Sequence, residues 1–395
     1  MQTSSHQPLL PVVNPGAAAE GMSGRHGLPR KKKSGLGGAA RSKDFRACGL
    51  GVVLVMCVYG AFYVLLEKSG EVDCPDCVAK THPDYPAISE YEHTRPVLVW
   101  TWHTLENFLY IHQECLDEVD GFIFHPPTVA HRPYEPLVKK PHQQWILFST
   151  ESELNYPMLE DPKFMSKFDI NMTYHLEDAV PFTYYIDIDF YTKYWQHPIL
   201  PKTAKAPVMM MISNCEPKSP RNQYLAELMR YIDIDSYGKC FHNKDIPREM
   251  DGWPWWEVKW NITAQYKFTI AIENSISLDY VTEKLFHSFI VGTVPIYLGA
   301  PNVDSFAPAE KSVIKVTDFD GPKELAAYLR ALDEDDDAYG EYLQWKRDGP
   351  SQSFVDLQRT SPRTGPCRLC KRIAELQNLT PSKREMAARH HHHKH

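Results

Sequence analysis

The chain has 395 residues, 43% hydrophobic and 12% aromatic, which excludes a disordered chain and calls for two cores rather than one. Its formal charge of −7 is unevenly spread: residues 1–46 carry eight Lys or Arg against two acids, and the rest of the chain is strongly acidic. An acidic body excludes nucleic acid as the main partner, because phosphate backbones are gripped by Lys and Arg.

Residues 1–46, rich in Pro, Gly, Ala and basic side chains, read as a disordered cytosolic tail. Residues 47–66 follow as an uncharged run, Ala47–Leu66. As a helix it would span roughly 30 Å, the thickness of a hydrocarbon core. Basic residues crowd its N-terminal side, so the positive-inside rule puts the bulk of the chain in the lumen. The run is too long and too far from Met1 for a cleaved signal peptide. The expectation is a type II Golgi membrane protein, with the endoplasmic reticulum as the alternative. Residues 67–95 form a polar stem.

The first lobe is placed at 96–200. Val97–Trp102, Gly121–His125 and Trp145–Ser149 predict buried strands. The Pro- and Lys-rich stretch His197–Pro207 predicts a linker. A second lobe at 206–360 alternates strands (Val208–Ile212, Ile232–Tyr237, Lys267–Glu273, Val294–Leu298) with helices (Arg221–Tyr231, Val281–Val291, Pro322–Leu332). That alternation makes βαβ units and a parallel sheet. The fold class is therefore α/β, two Rossmann-like lobes with a cleft between them. Ligands of such sheets sit beyond the carboxyl ends of the strands. Residues 361–395 carry a Cys pair and a basic, His-rich tail, read as a solvated tail or tag.

Among the nine cysteines, Cys74/Cys77 and Cys367/Cys370 form two CxxC pairs, while Cys115, Cys215 and Cys240 stand alone. In a lumenal protein the pairs predict disulfides of open connectivity, with zinc as the alternative. Asn171, Asn261 and Asn378 each open an N-glycosylation sequon.

The segment Phe268–Phe286 runs from a strand into Glu273-Asn274-Ser275, a short loop, and a helix from Val281. Glu283 and Lys284 fall in the first turn of that helix. Free N–H groups, a partial positive charge and Lys284 suit a pyrophosphate. Glu283 suits two vicinal ribose hydroxyls. Gly292 ends the helix. No P-loop and no G-x-G-x-x-G is present.

The run FTIAIENSISLDYVTEKLFHSFIVGTVPIYLG resembles the signature of the α1,3/4-fucosyltransferase family (GT10-type): F-x-x-x-x-E-N-S, then [DS]-Y-[VI]-T-E-K, then G-[TS]-V-P-[VI]. The similarity extends over most of residues 95–375. Residues 208–247 are most similar to a divergent animal subgroup regarded as protein O-fucosyltransferases acting on EMI modules. The resemblance implies a GT-B-like fold, inverting transfer from GDP-fucose and no metal or other cofactor. Carried over by residue, Lys284 and Arg221 would hold the diphosphate, Glu283 the ribose, and Asn274 and Tyr280 the fucose side of the donor.

Inversion requires a base opposite the leaving GDP, and a carboxylate from the other lobe suits it. The family places one within W-x-x-x-x-x-E-S, which here is Trp145 to Ser152 with Glu151 as the base. Glu153 is the alternative. Many family members read T-Y-R where this chain has Thr173-Tyr174-His175, which bears on the acceptor rather than the donor. The acceptor expected first is a GlcNAc hydroxyl of a glycoprotein glycan (α1,3 linkage), and Ser or Thr of a disulfide-rich protein module second. Two competing readings are a metal-dependent GT-A enzyme using Asp187/Asp189 or Asp233/Asp235, and a lectin-like scaffold. Both D-x-D pairs predict strands with alternating exposed acids.

Overall fold

The computed structural model describes residues 52–58, 61–67, 99–101, 120–126, 138–195 and 199–378. Strands β1 (Val52–Val58) and β2 (Ala61–Glu67) pair antiparallel, from Val52↔Glu67 to Val58↔Ala61. A membrane helix is expected across this stretch, and the backbone there is extended instead. The run is rich in valine, whose branched Cβ favours strand. No helix among the described residues is long and apolar enough to cross a membrane.

The first parallel sheet has the order β3-β4-β5-β6: Val99–Thr101, Gly121–Phe124, Gln144–Ser149 and Ile170–Thr173. All six residues of β5 are buried, as a parallel strand covered on both faces requires. Phe122, Phe124, Trp145 and Leu147 pack against Phe168 on one face. Ile146, Phe148, Ile170 and Met172 pack on the other against Leu369, Ile373 and Leu376.

The second parallel sheet is built from β7 (Val208–Met210), β8 (Ile234–Ser236), β9 (Phe268–Ile272), β10 (Val294–Leu298) and β11 (Ile314–Lys315). Its order is β8-β7-β9-β10-β11, all parallel. One face packs on helices α2 (Arg221–Leu228) and α5 (Pro322–Glu334). The other packs on α1 (Ile188–Trp195) and α4 (Glu283–Val291). The direction of winding reverses between β7 and β9, and that switch point opens a crevice beyond their carboxyl ends.

The expected strands and helices of the second lobe are present, most with shorter ends, while Val294–Leu298 matches in full and the helix from Pro322 runs on to Glu334. Helix α4 starts at Glu283, because Thr282 is its extended N-cap, and stops at Gly292 in the left-handed region (φ 65°). Elements not predicted include β6, β11, α1, α3 (Trp255–Thr263) and α6 (Gly365–Asn378). Helix α6 brings the end of the chain back over the first sheet. The expected linker is no loose tether either. Lys202 donates to the carbonyls of Ala264 (3.0 Å) and Gly292 (2.8 Å) and to Thr293 Oγ1 (3.1 Å), capping the carboxyl end of α4.

Candidate functional site

The site is built at the switch point. Strand β9 runs straight into Glu273, which is fully buried. Its carboxylate accepts from Thr282 N–H (2.8 Å), Thr282 Oγ1 (2.9 Å) and Lys284 Nζ (3.0 Å). Glu273 therefore ties the strand end to the amino end of α4. Burial pushes its carboxyl above the ordinary range, against the pull of Lys284. Lys284 also donates to Thr282 Oγ1 (2.7 Å). Burial alone would lower its pKa, but Glu273 and Glu283 raise it above the ordinary value, so it stays an ammonium.

Glu283 sits beside two ammonium groups, Lys284 at 3.7 Å and Lys259 of α3 at 3.8 Å. Burial works to raise its pKa, and Lys284 and Lys259 outweigh that and hold it at about 2. Arg221 opens α2 at the same crevice and is buried. It donates to the carbonyls of Ile272 (3.2 Å) and Asn214 (2.5 Å), while its Nε has no hydrogen-bond partner among the described residues. Next to it, the Lys218 and Ser219 N–H groups donate to Asn274 O at 2.7 and 2.8 Å. The loop after β7 is thus clamped on the end of β9, and the Cys215–Cys240 disulfide ties it to the chain beyond β8.

The first lobe supplies the opposite wall. Glu151 follows β5, and its N–H donates to Ser149 Oγ at 3.1 Å. Its Oε2 accepts from Asn155 Nδ2 (3.1 Å) and, across the cleft, from Tyr280 Oη (3.1 Å). Ser152 Oγ and Ser275 Oγ meet at 2.6 Å beside it. Glu153 has a different environment. Burial raises its pKa, but hydrogen bonds from His175, Ser277 and Tyr174 outweigh it and hold the carboxyl at about 2. A carboxylate held that firmly ionised is a poor proton acceptor, whereas Glu151 keeps one oxygen without a hydrogen bond among the described residues.

The structure thus brings Glu151, Tyr280, Asn274, Glu283, Lys284 and Arg221 to one crevice. Arg221 is turned onto main-chain carbonyls there. Gly299 belongs to the same crevice. A Cβ there would lie 2.4 Å from Tyr297 Oη and 2.7 Å from Glu273 Cγ. Gly299→Ala is expected to cost about 1–3 kcal/mol of stability by overpacking, measurable as a lower Tm.

Other expectations need correction. Asp187/Asp189 start a helix: Asp187 Oδ1 caps α1 through Phe190 N–H (2.6 Å), and Oδ2 pairs with Arg363 (2.6 Å). Asp235 accepts from Lys244 and Tyr266, both at 2.6 Å. No group of three or more metal-ligating side chains occurs among the described residues. Cys367 is disulfide-bonded, whereas Cys370 is a free thiol pushed up to about 11, chiefly by burial. Both lie on α6, and the CxxC bridge between them is not formed. Cys74 and Cys77 lie outside the described residues. Asn171 is buried within β6 and Asn261 within α3, 8% and 3% exposed, so neither side chain is open to a glycan in the folded chain. The side chain of Asn378 lies outside the described ones.

Glu273, Lys259 and the Cys215–Cys240 bridge were not singled out as functional. Glu273 stands inside the quoted E-N-S, and a Glu closing a buried strand is itself a signal. Lys259 lies in an aromatic stretch, WPWWEVKW, with no motif around it.

Residues 201–388 match the family described as glycosyltransferase family 10 (fucosyltransferase) C-term. A GDP-fucose protein O-fucosyltransferase 3 of Danio rerio is 36% identical over 278 residues, covering 64% of this chain and 60% of that one. Its Homo sapiens namesake is 36% identical over 230 residues, covering 54% and 47%. The chain thus spans about half to three-fifths of the length of these curated relatives. A crystal structure of an alpha1,3-fucosyltransferase with GDP-fucose covers 72% of this chain and 92% of that one, at 16% identity and a TM-score of 0.49. Over residues 201–388 the chain is thus similar to glycosyltransferase family 10, the fucosyltransferases.

Proposed function

We propose that this chain transfers L-fucose from GDP-fucose to a protein hydroxyl with inversion at the anomeric carbon. The observation that carries the reading is the contact between Glu151 of the first lobe and Tyr280 of the second, 3.1 Å across the crevice where Glu283 and Lys284 stand. Lys284, Lys259 and the amino end of α4 would meet the diphosphate, and Glu283 the ribose. Arg221 would join them by releasing a carbonyl. As the acceptor oxygen attacks the anomeric carbon, its proton passes to Glu151 and the bond to GDP breaks, leaving the new negative charge on the diphosphate. These cations answer that charge without a metal, so activity is expected to survive EDTA. Loss in EDTA with return on Mn²⁺ would revive the D-x-D reading.

The sequence favoured a glycan acceptor. Relatives named protein O-fucosyltransferases, at about 36% identity, support the protein acceptor instead. The test is transfer from radiolabelled GDP-fucose by the full chain to a folded disulfide-rich module and, in parallel, to a GlcNAc-terminated glycan. Label on the module alone is expected. Label on the glycan alone would overturn the acceptor, and label on neither, without GDP binding, would overturn the donor.

The facing parallel sheets support a GT-B-like arrangement. We also infer membrane anchoring through residues 47–66 with the acidic body in the Golgi lumen, supported by the charge asymmetry. Protection of the body from added protease in sealed vesicles is the expected result.

A further inference from the structure

We propose that His175 is a positioning residue which, with Glu153 and Asp279, sets the register of the first lobe against the second and so keeps Glu151 on Tyr280. The inference rests on the fucosyl-transfer reading above for its kinetic arm only.

The loop between β9 and α4 presents alternate residues to the first lobe. Ser275 meets Ser152 at 2.6 Å, Ser277 donates to Glu153, and Asp279 lies 3.6 Å from His175 Nδ1. Ile276 and Leu278, between them, are exposed. His175 Nε2 is 3.8 Å from Glu153, so the imidazole stands between one carboxylate of each lobe. Tyr174 donates to the same Glu153. Asp279 also accepts from Leu176 N–H (3.0 Å) and Asn302 Nδ2 (2.7 Å). It is held in the left-handed region, φ 64°, which few non-glycine residues adopt and which aspartate tolerates better than most. Tyr280 follows directly, and Glu151 directly precedes Ser152. A slip of about 1 Å between these loops would move base and donor apart, and slips of that size cost about 10²-fold in rate.

The charge state fits the role. Burial alone would lower the His175 pKa, but Asp279 and Glu153 outweigh it and raise it from 6.5 to about 9. The charged groups facing it are Glu153, Asp178 and Asp279, with the Tyr174 ring alongside, and Asp178 is bonded to Thr173 N–H (2.9 Å). A raised pKa contributes stability that is fully present below 6.5 and lost as pH rises through about 9.

The test compares wild type, His175→Gln and His175→Arg by kcat against pH, GDP affinity and Tm against pH. In wild type, kcat is expected to fall as pH passes about 9. His175→Arg, whose guanidinium stays charged, removes that limb. His175→Gln lowers kcat about tenfold or more at neutral pH with GDP affinity within about twofold. The Tm gap between wild type and His175→Gln is expected to close above about pH 9, a readout that needs no fucosyl transfer. Should His175→Gln fail to fold, the high-pH limb of His175→Arg decides. An unchanged limb in His175→Arg, or a Tm gap independent of pH, would overturn the proposal. A wild type that binds GDP and shows the closing Tm gap but transfers no fucose would overturn the function and leave the register device standing.

Discussion

Glu151→Gln is expected to lower kcat for fucosyl transfer by about 10²–10⁴-fold while GDP affinity stays within about twofold. The amide keeps an oxygen for Tyr280 Oη and Asn155 Nδ2, so the cleft contacts survive the substitution. What it loses is the capacity to take a proton from the acceptor. The second lobe, where the donor is proposed to bind, is untouched. Glu153→Gln makes the useful comparison. Its carboxylate is committed to Tyr174, Ser277 and His175, so its loss is expected to appear as lower Tm and displaced lobes. Single-turnover transfer and calorimetric GDP binding separate the two outcomes. A Glu151→Gln enzyme within about threefold of wild type would remove Glu151 as the base.

Lys284→Ala is expected to weaken GDP binding by about 30-fold or more and to lower Tm at the same time. Truncating one partner of a buried, hydrogen-bonded charge pair costs about 2–5 kcal/mol, and about 2 kcal/mol already corresponds to 30-fold. Two losses combine here. The diphosphate loses its ammonium, and Glu273, fully buried, is left with Thr282 as its hydrogen-bond partner and a pKa raised further by the loss of Lys284. Adding Glu273→Gln to Lys284→Ala neutralises that orphaned carboxylate. The double variant is expected to regain Tm without regaining GDP affinity. Full GDP affinity in Lys284→Ala would end the donor-site assignment.

The strand–helix–strand run from Phe268 to Leu298 was legible because its periods are clean. Phe268–Ile272 and Val294–Leu298 are short apolar strands, and between them Leu285 and Phe289 fall on one helical face ended by Gly292. Helix α6 was missed although Leu369, Ile373 and Leu376 recur at i, i+4 and i+7, because the CxxC and the basic, His-rich end drew the reading to disulfides and a tail. Helix α3 gave no clear signal. Trp, Val, Ile and Thr fill it, and these favour strands when read alone. Only packing against its neighbours makes it a helix. The valine-rich stretch near residue 55 is the opposite case: read for length and charge it is a membrane helix, and its described backbone is paired strand.

The sequence by itself determined the parts that are local: the alternation that makes a parallel α/β sheet, the helix amino end that carries Glu283 and Lys284, and the motifs that name the candidate base. Tertiary structure decided what depends on distant chain meeting in space. Ser152 and Ser275 are 123 positions apart, and Tyr280 and Glu151 are 129 apart, so no periodicity reports their contact. Cys215 and Cys240 read as single cysteines because their pairing follows from β7 lying next to β8. The different surroundings of Glu151 and Glu153 are likewise tertiary. Two glutamates two positions apart differ because one meets Tyr280 across the cleft and the other is held ionised by a cation and two hydroxyls. A side chain's proton affinity is set by the field and solvent around it, which only the folded chain supplies.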